Sequence, residues 1–166
     1  MIILGIDPGL TGAMAMLTPA GLKGVMDIPT MMRGAGTGSV KNQIDCYALY
    51  KKLQEMLTGY DKNEIMVVIE MQQAMGGGMN ASAVFSLGLS AGIIEGVVAA
   101  RALPHELVPP SQWKKAMGLS AKGKDAKEQS MAMAKRYYPE ADLHLAKHHN
   151  RAEAILIARY GQLKHH

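Results

Sequence analysis

The sequence predicts an α/β domain built on a mixed five-stranded β-sheet, with helices on both faces of the sheet. The chain has 166 residues, of which 48% are apolar, so it is long and apolar enough to form one domain with a real core. Three short apolar runs open the chain and indicate antiparallel strands, whereas the later runs alternate between helical and strand patterns and indicate parallel crossovers. We expect residues 1–166 to form a single domain, with the last few residues as a tail or a tag remnant.

The three antiparallel strands are expected at residues 2–6, 12–17 and 24–28. Each of these runs is short and apolar, as buried strands are. Turn-forming residues around Pro8 and Pro19 separate the runs. The spacing leaves room only for tight turns, so we expect a three-stranded meander.

A helix, a strand, a second helix and a second strand follow, and three helices close the chain. The first of these helices carries Leu49, Leu53 and Leu57 on one face. The expected elements are a loop at 33–39, a helix ending at Gly59, a strand at 65–69, a loop at 74–80, a helix at 81–102, a strand at 106–108, and helices at 111–117, 124–138 and 149–162. Three antiparallel strands followed by parallel crossovers is the order of a ribonuclease-H-like fold.

The long helix at residues 81–102 is apolar enough to be compared with a membrane span. It contains Glu95, and a carboxylate well inside a bilayer costs about 3 kcal/mol, so we expect a buried helix and no membrane partner. Gly88, Gly92 and Gly96 recur every four residues, which leaves one stripe of the helix without side chains. That stripe suits either close packing on the chain's own sheet or an interface with a second subunit.

Basic residues are concentrated in one part of the chain. Residues 101–136 carry eight Lys and Arg against three Asp and Glu, whereas the whole chain has a net charge of +4. Such a stretch suits a partner with a phosphate backbone, and it suits a solvated helix face equally well. Charge alone does not decide between these two interpretations.

Cysteine content and the N-terminal pattern bear on the compartment. Cys46 is the single cysteine, which excludes an intrachain disulfide. The first residues show neither a basic leader nor a cleavage-site pattern, so we expect a cytoplasmic protein.

Three acidic residues stand where an active site is expected. Asp7 ends the first strand, Glu70 ends the fourth, and Glu153 lies in the last helix. The first and fourth strands are neighbours in a ribonuclease-H-like sheet, so Asp7 and Glu70 would end side by side, where their charges repel. A divalent cation such as Mg²⁺ removes this conflict, because carboxylates, water and substrate phosphate are its usual ligands. Either acid alone is better explained by a turn or a strand end, but the three together favour a metal site.

The same positions carry a resemblance to a known family. Ile-Leu-Gly-Ile-Asp7-Pro-Gly near the start, Val-Val-Ile-Glu70 after the first helix and Arg-Ala-Glu153-Ala near the end resemble the RuvC-type Holliday-junction resolvases. The similarity is greatest to the divergent, phage-type members. The long glycine-containing helix and the segment Pro-Pro-Ser-Gln-Trp113-Lys-Lys resemble that group as well, so the resemblance covers nearly the whole chain.

The resemblance implies a homodimer that binds four-way DNA junctions and nicks two strands symmetrically, with no small-molecule cofactor. It implies Mg²⁺ or Mn²⁺ held by four acidic or His residues, of which Asp7, Glu70 and Glu153 match three. Two such ions in one site activate a water and stabilise the leaving oxygen of a phosphodiester. The fourth residue, one helical turn before the last acid, is usually Asp, and this chain has the neutral Asn150 there, after His149. Either Asn150 binds metal through its carbonyl oxygen, or His149 takes the role, or the chain is an inactivated variant.

Further residues near these acids are candidates for binding DNA. Lys127 falls where the family carries a lysine close to the active site, and such a lysine would also stabilise charge on the transferring phosphate. Trp113 is expected to anchor the core rather than to stack on bases. Lysines beside the carboxylates would neutralise phosphates without reading sequence. The DNA-binding candidates are Gln72, Gln73, Lys114, Lys115, Lys122, Lys124 and Lys127.

We therefore expect a metal-dependent endonuclease that resolves four-way DNA junctions. Two alternatives remain open at the level of sequence. One is a related nuclease that acts on structured RNA or on flaps. The other is a catalytically silent module that binds branched nucleic acid, for which the neutral Asn150 is the reason.

Overall fold

The computed structural model describes residues 1–33, 42–73, 81–119 and 125–165 of the chain. Its strands are β1 (Ile2–Asp7), β2 (Ala13–Thr18), β3 (Gly21–Asp27), β4 (Thr30–Met32), β5 (Asn42–Ile44), β6 (Ile65–Glu70) and β7 (His105–Val108). Its α-helices are α1 (Cys46–Met56), α2 (Ala81–Ala100), α3 (Pro110–Ala116), α4 (Ala126–Tyr137) and α5 (His149–Lys164). Short 3-10 helices at Lys62–Glu64 and Ala146–His148 precede β6 and α5.

Five of the strands form one mixed sheet in the order β3-β2-β1-β6-β7. β2 pairs antiparallel with both β1 and β3, whereas β6 runs parallel to β1 and β7 runs parallel to β6. Short turns can join only antiparallel neighbours, while α1 and α2 supply the long connections that parallel pairing needs. The expected ribonuclease-H-like mixed sheet is confirmed, and the strands that end in the two expected acids are neighbours.

Alternate residues of β1 face two separate cores. Leu4 and Ile6 pack on the face that α1 and α2 cover, whereas Ile3 packs on the face that α3, α4 and α5 cover. Successive side chains of a strand point to opposite faces of its sheet, so a strand covered on both faces is apolar throughout. Every residue of β1 is buried. This explains the uninterrupted apolar run at the start of the sequence.

At Gly5, the backbone of β1 lies directly against the backbone of helix α5. A Cβ atom added at Gly5 would lie 2.3 Å from the backbone nitrogen of Ala158 and 2.4 Å from the carbonyl oxygen of Ala154. On the helix side, a Cβ atom added at Gly161 would lie 2.6 Å from Cγ2 of Ile3. Only glycine allows the two backbones to approach this closely.

A two-stranded sheet, in which β4 pairs antiparallel with β5, is an element that the sequence did not predict. Each of its strands has three residues; all three residues of β4 are exposed, and of β5 only Ile44 is buried, so the pair is too short and too exposed to show an alternating pattern. The expected loop at 33–39 falls between these strands. Apart from Arg33 it lies outside the described residues, as does the expected loop at 74–80 from residue 74 onward.

Helix α2 is buried along one narrow face only. Its buried residues are Ser90, Ile94 and Val98, of which Ile94 and Val98 pack with α1 and the sheet. By length and composition alone α2 could cross a membrane, and only 17% of its most apolar window is buried inside the chain. The expectation of a buried helix is therefore wrong for most of the surface of α2. A high apolar content does not by itself show whether a helix is covered by its own chain.

The glycine stripe of α2 does not pack on the chain's own sheet. A Cβ atom added at Gly88, Gly92 or Gly96 would meet no described atom within 4 Å. Beside the stripe, Phe85 is 60% exposed and Val84 is 38% exposed. Of the two sequence-based interpretations of the stripe, packing on the sheet is excluded within the described part of the chain, and the subunit interface stays a prediction.

Gly5→Ala is expected to destabilise the protein by about 1–3 kcal/mol, because the added methyl group overlaps the backbone of α5 and must displace it. Gly24→Ala on β3 is the matched control, since a Cβ atom there meets nothing within 4 Å. That change should be neutral or slightly stabilising, because alanine restricts the unfolded chain. Urea unfolding measures both variants. A Gly5→Ala midpoint equal to that of the wild type would contradict the close packing of α5 on β1.

Candidate active site

Asp7 and Glu70 end neighbouring parallel strands at the same edge of the sheet. Asp7 is the last residue of β1 and Glu70 is the last residue of β6. The register pairs Ile6 with Ile69, so the two acids follow at matching positions. Asp7 is only 7% exposed. The apolar part of each strand is anchored in the core, and this anchoring determines where each carboxylate emerges.

Glu153 approaches the same edge from the second turn of α5. The charges of Glu70 and Glu153 both act on Asp7, so the three carboxylates lie within electrostatic range of one another. Oε1 of Glu153 is 3.1 Å from Nζ of Lys114 and 3.3 Å from Oγ of Ser130. The side chains of Lys114 and Glu153 are each 14% exposed, so this ion pair is largely shielded from water.

Burial is the main reason why the pKa of Asp7 lies well above its usual value. The negative charges of Glu70 and Glu153 raise this pKa further, whereas the ammonium groups of Lys114 and Lys127 lower it. Ionised Asp7 is therefore unfavourable in the protein without a further positive charge nearby.

Glu70 has two hydrogen-bond donors of its own. Nε1 of Trp113 donates to Oε2 at 2.8 Å, and Nε2 of Gln72 donates to Oε1 at 3.4 Å. Burial has the largest effect on the pKa of Glu70 and raises it. The hydrogen bonds from Trp113 and Gln72 and the charge of Lys114 lower this pKa, whereas the charge of Glu153 raises it. The net shift is upward. The two donors hold the carboxylate in one orientation while leaving it hard to ionise.

This donor set suits a hard divalent cation. Asp7, Glu70 and Glu153 bring three carboxylates from two strands and a helix within electrostatic range of one another. Mg²⁺ is usually held by one or two carboxylates together with water and phosphate. The raised pKa values of Asp7 and Glu70 show the electrostatic cost of the arrangement, which a cation would offset. At this edge of the sheet, Asp7, Glu70 and Glu153 are therefore candidate ligands for a metal ion.

Asn150 and His149 lie on the first turn of α5. Nδ2 of Asn150 donates to the carbonyl oxygen of Thr11 and, at 3.0 Å, to its hydroxyl oxygen. The amide nitrogen is therefore bound to the turn after β1, and the carbonyl oxygen of Asn150 is the atom available for another ligand. Nδ1 of His149 lies 3.4 Å from the carbonyl oxygen of Ala146. The identity of the fourth metal ligand stays a prediction.

The expected DNA-binding residues fall into different places. Lys114 contacts Glu153 directly, and Lys127 is exposed on α4 within electrostatic range of Asp7. Lys115 and Gln73 are exposed, and Gln72 is bound to Glu70. The two candidates outside the described residues are Lys122 and Lys124.

Trp113, Ser130 and Thr11 contribute contacts that the sequence does not reveal. Trp113 is fully buried, as expected of a core anchor, but its indole nitrogen also binds Glu70, 43 positions away in sequence. The only signal for this contact is the position of Trp113 in a segment that resembles a known family. Ser130 and Thr11 lie in a helix and a turn whose local patterns are ordinary, and nothing near them in sequence points to a distant partner.

The sequence of the chain matches one protein-family model over most of its length. The model described as crossover junction endodeoxyribonuclease RuvC matches residues 3–158. The chain belongs to the RuvC family. The match includes Asp7, Glu70 and Glu153, and it confirms the resemblance to the RuvC family and the expected function, a junction-resolving endonuclease. The greater similarity to phage-type members stays a prediction.

Two solved RuvC structures share the fold of this chain. The first, Thermus thermophilus RuvC, is 18% identical, the alignment covers 99% of this chain and 97% of the other, and the TM-score is 0.54. The second, T. thermophilus RuvC in complex with a Holliday junction substrate, is 17% identical, with 99% and 95% covered and a TM-score of 0.57. A search among curated proteins gives no significant match. The structural likeness supports the fold, and the family match carries the function.

Asp7→Asn is expected to stabilise the metal-free protein at pH 7 by about 1 kcal/mol, a Tm increase of about 2–4 °C in a domain of this size. A carboxyl group with a raised folded pKa binds more protons in the folded than in the unfolded protein, so wild-type stability falls as pH rises from the usual Asp value through the raised pKa. The advantage of Asp7→Asn should therefore vanish below about pH 4.

Thermal melting in EDTA across this pH range measures the effect. Glu64→Gln, which removes an exposed carboxylate outside the site, is the control and should keep the wild-type profile. Superimposable profiles for the two variants would mean that Asp7 is not under electrostatic strain.

Proposed function

We propose that this chain is a divalent-metal-dependent endonuclease that resolves four-way DNA junctions by symmetric nicking of two strands. The observation that carries the proposal is the convergence of Asp7, Glu70 and Glu153 from β1, β6 and α5 in a chain of the RuvC family. Burial and neighbouring negative charge disfavour the ionised forms of Asp7 and Glu70, and a cation would offset this. A protein that only bound DNA would gain nothing from this arrangement, because carboxylates repel phosphates.

Mg²⁺ is the proposed natural ion, with two ions per active site and Mn²⁺ as a substitute. Asp7 and Glu70 would share one ion, and Glu153 would contribute to the other. When bound, the ions supply an activated water and stabilise the leaving oxygen of the phosphodiester. Two contacts within the chain would orient these ligands before metal binds: Trp113 donates a hydrogen bond to Glu70, and Lys114 forms an ion pair with Glu153.

Branched DNA is the proposed partner of this site. A phosphate near Asp7 would meet the ammonium groups of Lys114 and Lys127, both of which act electrostatically on that carboxyl. Such contacts add affinity without reading sequence, as expected of an enzyme that recognises the shape of a junction. Lys127 would also stabilise charge on the transferring phosphate. T. thermophilus RuvC, which shares the fold, is known in complex with a Holliday junction substrate.

A second copy of this chain is the proposed partner of helix α2. The stripe formed by Gly88, Gly92 and Gly96 is open, and the neighbouring Phe85 is 60% exposed. An exposed apolar face beside a stripe without side chains favours close pairing of two helices. Two-fold pairing would also give one particle two active sites, which symmetric nicking of two strands requires.

Glu70→Gln is expected to lower the cleavage rate by about 10³-fold, since loss of a metal contact costs several kcal/mol of transition-state stabilisation. Junction binding should remain, because the substitution removes a negative charge. The assay uses a labelled four-way junction in Mg²⁺ beside a linear duplex of the same sequence. Wild type and the control Glu64→Gln should nick two strands of the junction symmetrically and leave the duplex intact.

Other outcomes of this assay would replace the proposal. Wild-type protein that binds the junction without cutting it in Mg²⁺ or Mn²⁺ would be a silent junction-binding module, as the neutral Asn150 would then explain. Faster cutting of flaps or structured RNA than of the junction would assign a different substrate.

Asn150→Asp is expected to raise the Mg²⁺-dependent rate and to reduce the preference for Mn²⁺, because a carboxylate is a stronger ligand for Mg²⁺ than an amide oxygen. The same change should cost about 1 kcal/mol of stability, since the amide donates a hydrogen bond to the carbonyl oxygen of Thr11 and a carboxylate cannot donate one. If His149 is instead the fourth ligand or the general acid–base, His149→Ala should lower the rate by about 10²-fold or more. Indifference of the rate to both changes would leave Glu153 as the only contribution of α5 to the metal site.

Gly92→Leu is expected to convert the dimer into a monomer, because the leucine side chain would separate the two helices by several ångströms. Sedimentation velocity measures the change. Ala20→Leu, which adds the same apolar side chain at an exposed turn, is the control and should remain dimeric. An unchanged dimer for Gly92→Leu would place the subunit interface elsewhere.

A further inference from the structure

A compact group of potential metal ligands lies outside the candidate active site, in the segment between α4 and α5. Asp142, His144 and His148 each offer one ligand atom, and the three atoms lie within 4.8 Å of one another. Nδ1 of His144 is 2.6 Å from Oδ1 of Asp142, and Nδ1 of His148 is 3.7 Å from the same oxygen. The two imidazole rings meet edge to face, with centroids 5.2 Å apart.

His148 directs an unsatisfied nitrogen toward this group. The residue is 4% exposed, and its Nδ1 has no hydrogen-bond partner within the described parts of the chain. The separation of 3.7 Å from Asp142 is too long for a hydrogen bond. A buried nitrogen without a partner is unfavourable, so its position is best explained by a ligand that the chain itself does not supply.

Arg151 holds the carboxylate of Asp142 in position. Its Nη1 donates to Oδ2 of Asp142 at 2.6 Å, while its Nη2 donates to Oδ2 of Asp27, at the end of β3, at 2.8 Å. The guanidinium therefore occupies one oxygen of Asp142 and leaves the other beside the two histidines. Contacts of this kind orient the ligands of metal sites.

We infer that Asp142, His144 and His148 form a second metal site, which takes Zn²⁺ or a similar transition-metal ion. Two imidazoles and one carboxylate, with water as the fourth ligand, form a donor set that zinc accepts. Imidazole suits transition metals better than it suits Mg²⁺. The carboxylates of the candidate active site suit Mg²⁺, so the two sites differ in chemistry as well as in position.

The role of this site would be structural. His148 is the residue immediately before α5, and its side chain makes no capping hydrogen bond to the helix. A metal that joined His148 to Asp142 would fasten the preceding segment to the start of the helix that carries Glu153. Binding would replace the contact between Nδ1 of His144 and Oδ1 of Asp142 with bonds from both atoms to the metal.

Calorimetric titration of the full chain with ZnCl₂, in the presence of excess Mg²⁺, tests the inference. We expect one Zn²⁺ per chain that Mg²⁺ does not displace, and CoCl₂ in its place should give the visible absorption of a four-coordinate ion. His144→Ala should weaken binding by more than about 10-fold, because even the loss of an outer contact to a metal ligand costs 10–100-fold. The variant should fold, since the side chain of His144 is 70% exposed, and far-UV circular dichroism checks this.

His165→Ala is the matched control. Nε2 of His165 is 2.9 Å from Oε1 of Glu106, so this pair is a competing histidine–carboxylate site in another part of the chain. The control should bind Zn²⁺ as the wild type does. Equal binding by His144→Ala and wild type, or the absence of any Zn²⁺ that resists Mg²⁺, would overturn the inference. Junction cleavage in Mg²⁺ without zinc reports separately on the proposed function.

Discussion

The direct contact of α5 with β1 is the constraint on which the candidate active site depends. A helix normally packs on a sheet through a layer of side chains, but at Gly5 the backbone of β1 meets the backbone of α5 at Ala154 and Ala158. Glu153, beside this contact, is thereby brought down to the strand end where Asp7 lies. A thicker layer would lift Glu153 away from the other carboxylates. Residues outside the candidate metal site therefore control the position of one of its three carboxylates.

The carboxylates are held together against their own repulsion. Burial and mutual charge disfavour the ionised forms of Asp7 and Glu70, and the fold offsets this only in part, through Lys114 and the hydrogen bond from Trp113. The rest of the stability has to come from the apolar cores on the two faces of the sheet. Such local instability is typical of active sites, where groups are arranged for the reaction rather than for the folded state.

Sequence reasoning succeeded where burial leaves a clear pattern. The runs at β1 and β6 are apolar throughout because both faces of the sheet are covered, and the acids at their ends stand out against them. The fold's strand order then makes these ends neighbours. The pair β4–β5 has no such pattern, since its strands have three residues each and only Ile44 of β5 enters the core. The composition of α2 suggested burial, but composition does not state whether the covering surface belongs to the same chain.

Hydrogen bonds between residues distant in sequence could not be predicted, for a different reason. The hydrogen bond from Trp113 to Glu70 and the pairing of Asn150 with Thr11 depend on the direction of side chains across 43 and 139 sequence positions. Local propensity and periodicity carry no such information. The three acids were predictable as a group, whereas the residues that orient them were not.

The exposed face of α2 bears on how the concentration of the protein would affect its assembly. If this face pairs with a second copy, the dimer forms by mass action. Its concentration then rises with the square of the monomer concentration wherever most chains are monomeric. Halving expression in a cell would then remove more than half of the assembled particles. Monomers in excess would present an unusually apolar surface, which chaperones and proteases recognise. Gene dosage would therefore influence this protein more steeply than it influences an enzyme that works as a monomer.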